Sequence, residues 1–255
     1  LVHALPHWQW NVLWTNLEQT HGGLLGPILG TIILMAGVLL LAGTVGILSG
    51  IHLSELAKPG RGGKLGGTWL RLSSDVLSGF PSIVLGYVGY VALVVGLHWQ
   101  FSLLPALLIL SMMVVPYIAK ATETALRQVP TSYREGAEAL GMSTGYGLRR
   151  IVLKSASPGI VTGLLIALAI AGGETAPLIY TAGFSSTVWT GALVHAHGFS
   201  YLTYLVWSFW SYSNPHARYL SDDAALILVV MVLILLVSAR IIVSRTQRHA
   251  ESRQG

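Results

Sequence analysis

The stretch Leu24 to Ser49, LLGPILGTIILMAGVLLLAGTVGILS, decides the fold: 26 residues with no Asp, Glu, Lys or Arg. As a helix it would be about 39 Å long at about 1.5 Å per residue. The hydrocarbon core of a bilayer is about 30 Å thick. The stretch therefore predicts one spanning helix with some tilt. The charge-free window around it reaches from residue 19 to residue 54.

Working outward, the rest of the chain repeats the pattern. Only 10% of the 255 residues are charged and 53% are hydrophobic. A soluble domain carries about 25% charged residues. Lipid is therefore the solvent for most of this chain, which excludes a disordered tail, a coiled coil and a soluble globule. With Cys 0, disulfide scaffolds, thiolate chemistry and Cys-ligated metals are excluded as well.

A second charge-free window covers residues 76–119. One helix of that length would be about 66 Å long, twice the bilayer. It must hold two spans, at about 76–97 and 104–126. The turn falls at His98-Trp99-Gln100, whose polar and aromatic groups suit the headgroup level. A third window begins at residue 155 and continues through Glu174 to Tyr180. The last span runs from about Ala224 to Ser244. The expectation is an all-α integral membrane protein with five transmembrane helices. Long unbroken apolar runs speak against a membrane barrel, whose strands alternate.

The segment 1–23 reads as an outer interfacial loop, with Trp8, Trp10 and Trp14 among polar residues. It lacks the basic start and apolar core of a secretory signal. Residues 24–245 read as one transmembrane domain. It carries a cytoplasmic loop at 127–157 and an outer loop at 181–221, and 246–255 is a cytoplasmic tail. Of the 15 Lys and Arg, all but Arg218 fall in the segments 50–74 and 120–157 and in the tail from Arg240. The positive-inside rule puts those three segments in the cytoplasm. The net charge of +5 is thus a topology signal, and no nucleic-acid partner is expected.

Two places carry candidate function. The first is the cytoplasmic stretch Arg134-Glu135-Gly136-Ala137-Glu138-Ala139-Leu140-Gly141. Tyr133–Leu140 has good helix formers, Thr131 or Ser132 as a cap, and Gly141 as the stop. The second is Glu174, a carboxylate inside an expected span and so a functional candidate. Pro177 breaks the helix ladder beside it, and Gly172 and Gly173 permit close packing or backbone exposure. Ser82, after Pro81 near the start of a span, is a further candidate hydrogen-bond donor, as is Thr175. His195 and His197 lack a third ligand and do not read as a metal site. Lys120 and Glu123 read as a snorkelling pair. Asp222 and Asp223 read as the start of the last helix. The aromatic segment from Trp189 to Tyr212 reads as interfacial, a short helix on the membrane or a surface for a binding protein.

Glu135-Gly136-Ala137 followed by Gly141 resembles the EAA loop of ABC importer permeases. Gly136 stands where the first Ala is usual, and Lys154 where many members have Pro. Gly173-Glu174-Thr175-Ala176-Pro177 resembles the G-E-T-A-P segment of phosphate-specific permeases of the PstA type. Gly46-Ile47-Leu48, Leu53-Ser54-Glu55 and Phe80–Gly86 are similar to that family too. The resemblance covers about residues 24–245 and implies a type I ABC importer permease in the bacterial cytoplasmic (inner) membrane. That family has six spans, so a further helix before the Trp-rich loop is expected, absent from this chain.

The resemblance implies that Glu135, Gly136, Ala137, Glu138 and Gly141 dock on an ATPase. It also places Glu174, Thr175, Pro177 and Ser82 on a phosphate translocation path. The partners it implies are a homologous second permease, two ATP-binding subunits and a solute-binding protein on the outer side. The chain has no P-loop, so no cofactor is expected on it, and ATP and Mg would bind the ATPase. Many members carry an Arg one turn before the Glu, and Ile170 stands there here. The partner permease is therefore expected to supply a cation. A permease for sulfate, molybdate or phosphonate is the alternative within transporters. A membrane-embedded enzyme would need a second catalytic group near Glu174, and His195 and His197 are the only offers.

Overall fold

The computed structural model describes residues 10–18, 21–56, 64–186, 191–194 and 198–251. His195, His197, Trp189 and Trp8 lie outside the described residues. The described residues are almost all helical. They run α1 (Leu25–Ile51), α2 (Lys64–Gly79), α3 (Ser82–Gly89), α4 (Leu103–Arg127) and α5 (Thr131–Ala139). Then come α6 (Thr144–Gly147), α7 (Leu153–Gly173), α8 (Ala176–Thr181), α9 (Leu202–Ser208) and α10 (Pro215–Glu251). The ends of α1, α3 and α6 continue into π-helical turns at His52–Leu56, Tyr90–Gly96 and Leu148–Val152. A short hairpin, β1 (Leu17–Glu18) and β2 (His21–Gly22), precedes α1, with Leu17 opposite Gly22.

Among the described residues four helices are long and apolar enough to cross a membrane: Leu25–Glu55, Leu103–Arg127, Thr144–Gly173 and Pro215–Ser244. A fifth span exists only if Thr68–Gly79 and Ser82–Gly96 are taken together as a bent pair. This corrects the expected span at 76–97. The helix stops at Gly79 and restarts at Ser82, with Pro81 extended between them at φ −59° and ψ 128°. Pro fixes its own φ, and its ring pushes the preceding Phe80 out of the helical region. The turn expected at His98–Gln100 is present, and both His98 (φ 55°) and Gln100 (φ 59°) adopt the left-handed region.

The chain forms two compact units. The first comprises residues 1–41, 80–113 and 168–234, and the second 42–79, 114–167 and 235–255. In the first, Leu24, Leu202, Leu205, Phe209, Leu220 and Ala224 form an apolar core. Val12 and Leu17 join it, so the segment before α1 is partly packed rather than wholly interfacial, while Trp10 and Trp14 remain exposed. The aromatic outer segment divides likewise. Phe199, Tyr201 and Phe209 are buried, and Trp207, Trp210 and Tyr212 are exposed. Helix α10 begins at Pro215, capped by the Asn214 side chain, which accepts from the His216 amide at 3.0 Å. Asp222 and Asp223 therefore lie two turns inside it, not at its start, and Asp223 is buried. A Pro preceded by Asn is the stronger start signal.

In the second unit small residues let helices touch. A Cβ built on Gly46 or Gly50 of α1 would collide with Ile118 or Thr122 of α4. Gly159 and Gly163 of α7 sit in the same way against Ala125 and Ala121. Small residues one turn apart are the usual means of close approach in lipid, where burying apolar surface gives no driving force. Leu126, Val129, Val152, Ala156 and Ile160 close this core. Helix α10 leaves Val229, Val230, Leu233, Ile234 and Val237 exposed.

Candidate functional site

Helix α7 ends at Gly173 and α8 begins at Ala176, so Glu174 and Thr175 form a break in the chain. Pro177 accounts for it. It has no amide proton, and it sits in the first turn of α8, where none is needed. Thr175 occupies the cap position at φ −116° and ψ −47°, and its hydroxyl makes no capping bond. The Glu174 amide donates to the Ala171 carbonyl at 3.3 Å. The Glu174 carbonyl accepts from the Thr203 hydroxyl at 3.0 Å. Breaking a helix frees carbonyls that must find partners away from water, and Thr203, buried on α9, serves one of them.

Ser82 opens α3, and its side chain lies near the Glu174 carboxylate. The register is set by a glycine. A Cβ on Gly86 would lie 2.6 Å from the Cα of Pro177, so the α3 and α8 backbones are in direct contact there. Further along, a Cβ on Gly89 would lie 3.1 Å from Thr181 Cγ2. Ser82 precedes Gly86, and Glu174 precedes Pro177, by about one helical turn each. Two sequence-distant residues thus arrive at one level. Tyr87, Tyr90, Tyr180 and Phe101 pack as a ring cluster along the same pair, with Tyr90 stacked on Phe101 at 5.9 Å.

The two glycines before Glu174 divide the two possibilities for such residues. Gly172 packs against Met35, a built Cβ lying 3.3 Å from its sulfur. Gly173 is exposed, with nothing within 4 Å of a built Cβ. Glu174 is half-buried beside it. Among residues 80–113 and 168–234 the sole Lys or Arg is Arg218. Its Nε donates to the Tyr212 carbonyl at 3.1 Å. Position 170 holds an uncharged Ile, so Glu174 has no guanidinium from its own helix.

The second constellation is α5. It starts at Thr131 with Pro130 in the cap position and no side-chain cap, one residue earlier than a Thr131 cap and two earlier than a Ser132 cap would place it. Ala137 is its one buried residue and faces Gly147, whose built Cβ would lie 3.2 Å from the Ala137 Cβ. Gly136 has open space around it, and Glu135 and Glu138 are exposed. Neither acid forms an ion pair among the described residues. Leu140 follows as the cap and is 75% exposed, a large value for an apolar side chain. Gly141 turns the chain at φ 72°, where a side chain would be strained, and its amide donates to the Glu138 carbonyl at 2.9 Å. Behind the helix lies a cavity of about 390 Å³ lined by Glu55, Arg134, Ala137, Glu138, Met142 and Leu148 among others.

Sequence reasoning missed the side chains that anchor this region. Arg134 donates to Glu55 at 2.6 Å and to the Leu126 and Val129 carbonyls at 3.2 and 3.3 Å. Arg71 donates to Glu123 at 3.0 Å and to the Leu53 carbonyl at 3.3 Å. Glu123 also pairs with Arg127 at 2.7 Å, while Lys120 faces Asp75 at 4.0 Å. Lys120 and Glu123 are therefore not each other's partners. Arg127 is the i+4 neighbour of Glu123, the better spacing for a helical ion pair, and that was the available signal. No group of three or more His, Asp or Glu suited to a metal occurs among the described residues.

Residues 42–253 match the family model described as "Binding-protein-dependent transport system inner membrane component". Relatives named phosphate transport system permease protein PstA 2, from Mycobacterium bovis and Mycobacterium tuberculosis, are 54% identical over 239 residues. That alignment covers 94% of this chain and 77% of each relative. A PstA from Xylella fastidiosa is 33% identical over 226 residues, 89% of this chain and 76% of its own. Among solved structures, the inward-facing MetNI methionine ABC transporter aligns with TM-score 0.63 at 20% identity, covering 93% of this chain and 96% of that one. An amino acid ABC transporter aligns with TM-score 0.57 at 18% identity, over 87% of this chain and 92% of that one. Those two likenesses establish the type I ABC importer permease fold. The chain belongs to the inner membrane components of binding-protein-dependent transport systems, and within them to the PstA permeases. It is accordingly a multi-pass permease subunit of the inner membrane, with ATP hydrolysis in a separate subunit of the transporter.

Proposed function

We propose that this permease forms half of the translocation path of an ATP-driven importer for inorganic phosphate. A homologous partner permease forms the other half. A solute-binding protein delivers phosphate on the outer side, and two ATP-binding subunits, which hold ATP and Mg, dock on the cytoplasmic side. The observation that carries this reading is the meeting of Ser82 and Glu174 at the break between α7 and α8. Phosphate near neutral pH carries both hydroxyl donors and oxyanion acceptors. The Glu174 carboxylate accepts from a phosphate hydroxyl, and the hydroxyls of Ser82 and Thr175 donate to its oxygens. Pro177 holds the break open. A carboxylate selects for a protonated oxyanion, which favours phosphate over sulfate or molybdate, fully deprotonated at that pH. The cation that balances the anion comes from the partner permease, since Ile170 supplies none. The names of the 54% identical mycobacterial relatives support the same substrate.

Helix α5 acts as the lever. Leu140 and Tyr133 give it exposed apolar contacts, and the exposed Glu135 and Glu138 meet donors on the ATP-binding subunit. Gly141 returns the chain to the membrane without a side chain in the way. The experiment is Gly141→Asp or Glu135→Arg in the assembled transporter, with phosphate uptake and ATP hydrolysis measured together. Uptake should fall below about one hundredth of the parent, because Asp at positive φ adds strain and charge at the docked surface. Full uptake in a correctly assembled complex would sink the docking role. For the path, removing the partner's pathway Arg should abolish uptake, and unchanged uptake would defeat the shared-cation arrangement.

A further inference from the structure

We propose that Arg134 is the positioning residue that transmits the movement of α5 to α1 and α4. This rests on the coupling role given to α5 above. Helix α5 packs chiefly on α6 and the π turn after it, with Ala137 against Gly147. One side chain, Arg134, ties it both to α1 and to the end of α4. Arg134 reaches Glu55 Oε1 at 2.6 Å, on the π turn that closes α1. The same guanidinium donates to the Leu126 carbonyl at 3.2 Å and the Val129 carbonyl at 3.3 Å. Leu126 lies in the last turn of α4, where carbonyls lack internal donors and the helix dipole favours a cation, and Val129 lies two residues beyond the helix end.

A planar guanidinium with five donors can hold a carboxylate and two carbonyls at once, which an ammonium cannot do with the same rigidity. The pair is largely shielded from water, with side-chain exposures of 21% for Arg134 and 14% for Glu55. A shielded, multiply bonded pair behaves as a joint rather than a sliding contact. Arg134 immediately precedes Glu135, so the residue facing the ATPase and the residue facing the membrane helices are neighbours in sequence. A push on α5 is therefore delivered to α1 through Glu55 and to the end of α4 through the Leu126 carbonyl. Arg71 holds the same turn of α1 from α2, through the Leu53 carbonyl, and stiffens the receiving end.

The test uses the complete transporter in liposomes and reads phosphate moved per ATP hydrolysed. Arg134→Gln and Glu55→Gln should each lower that ratio by about tenfold, with ATP hydrolysis continuing. The double variant should lose no more than the worse single, because both residues act through one contact. Arg134→Lys should retain an intermediate ratio, as a point charge replacing a fork. The chain has no cysteine. Glu55→Cys with Arg134→Cys, bridged by a bifunctional thiol reagent about as long as the ion pair, should regain transport that the unbridged double variant lacks. A parental ratio in Arg134→Gln, or additive losses in the double variant, would overturn the proposal. So would a bridged variant that stays uncoupled. If Arg134→Gln yields too little complex, the thiol-bridged comparison decides alone. Gly141→Asp run in parallel separates the two levels: if it also transports normally, the lever reading itself has failed, not only the joint.

Discussion

Each of the two units of this permease is held together internally by its own chemistry. The unit containing Glu174 is nearly free of basic residues, with Arg218 its sole Lys or Arg, and hydroxyl-to-carbonyl bonds such as Thr203 to Glu174 serve its polar backbone. The unit containing α5 holds Arg71, Glu123, Arg127, Glu55 and Arg134 in paired contacts of 2.6 to 3.0 Å. On the proposed path this chain offers an anion hydroxyl donors and a carboxylate, and the balancing cation is left to the partner permease. Where force must pass, charged pairs hold helix ends in one geometry. The difference teaches that this chain keeps its ion pairs, among the described residues, in the unit of the proposed lever and hydroxyl donors in the unit of the proposed path.

Three changes press on that contrast. The largest effect is expected from Gly86→Leu. The new side chain would start 2.6 Å from the Cα of Pro177 and force α3 off α8. Overpacking of this kind costs about 3 kcal/mol or more when backbone must move. Thermal unfolding in detergent should show a large loss, independent of salt. A shift that salt abolishes would mean the first unit depends on charge after all.

Next is Glu174→Gln, which keeps the shape but makes the group neutral and adds a donor where the carboxylate only accepted. Uptake should fall by about tenfold, the worth of one hydrogen bond to a charged group. ATP hydrolysis should persist. Equal loss of both activities would turn Glu174 into a coupling residue and blur the division.

The smallest effect is expected from Arg71→Met. Glu123 keeps Arg127 at 2.7 Å, so the carboxylate is not stranded. The Arg71 side chain is 40% exposed, so solvent screening limits the loss to about 1 kcal/mol. The loss should shrink further as salt rises. A loss of several kcal/mol would show that the network is more cooperative than its pairs.

The architecture was legible because lipid leaves a coarse signal. Charge-free windows located α1, α4, α7 and α10, and the basic residues ordered the loops. The window at 76–97 misled because hydropathy is blind to direction. Pro81 restarts the helix there, and composition alone does not weigh a local break against a long apolar run. At the candidate path, Pro177 announced the break and Glu174 announced itself as an acid among apolar residues. The partnership with Ser82 was not legible, because it depends on Gly86 meeting Pro177, a contact between segments far apart in sequence. At α5 the motif residues stood out, while Arg134 looked like one more basic residue in a basic loop. Its role comes from three acceptors on other segments. The aromatic segment before α10 was misjudged for a related reason. Trp, Tyr and Phe read alike from outside, yet Phe199 and Tyr201 fill a core while Trp207 and Trp210 stay exposed.

The π-helical turn His52–Leu56 has a geometrical consequence of its own. A π turn spreads its hydrogen bonds over one more residue than an α turn. It therefore underwinds the helix and sets the compass bearing at which Glu55 leaves the axis. If those five residues rewound to α geometry, the carboxylate would swing around the helix like the hand of a dial and leave Arg134. The winding of one turn would then select between an engaged and a released lever. Amide exchange across His52–Leu56 should differ between nucleotide-bound and nucleotide-free transporter, and identical exchange in both would show the dial to be fixed.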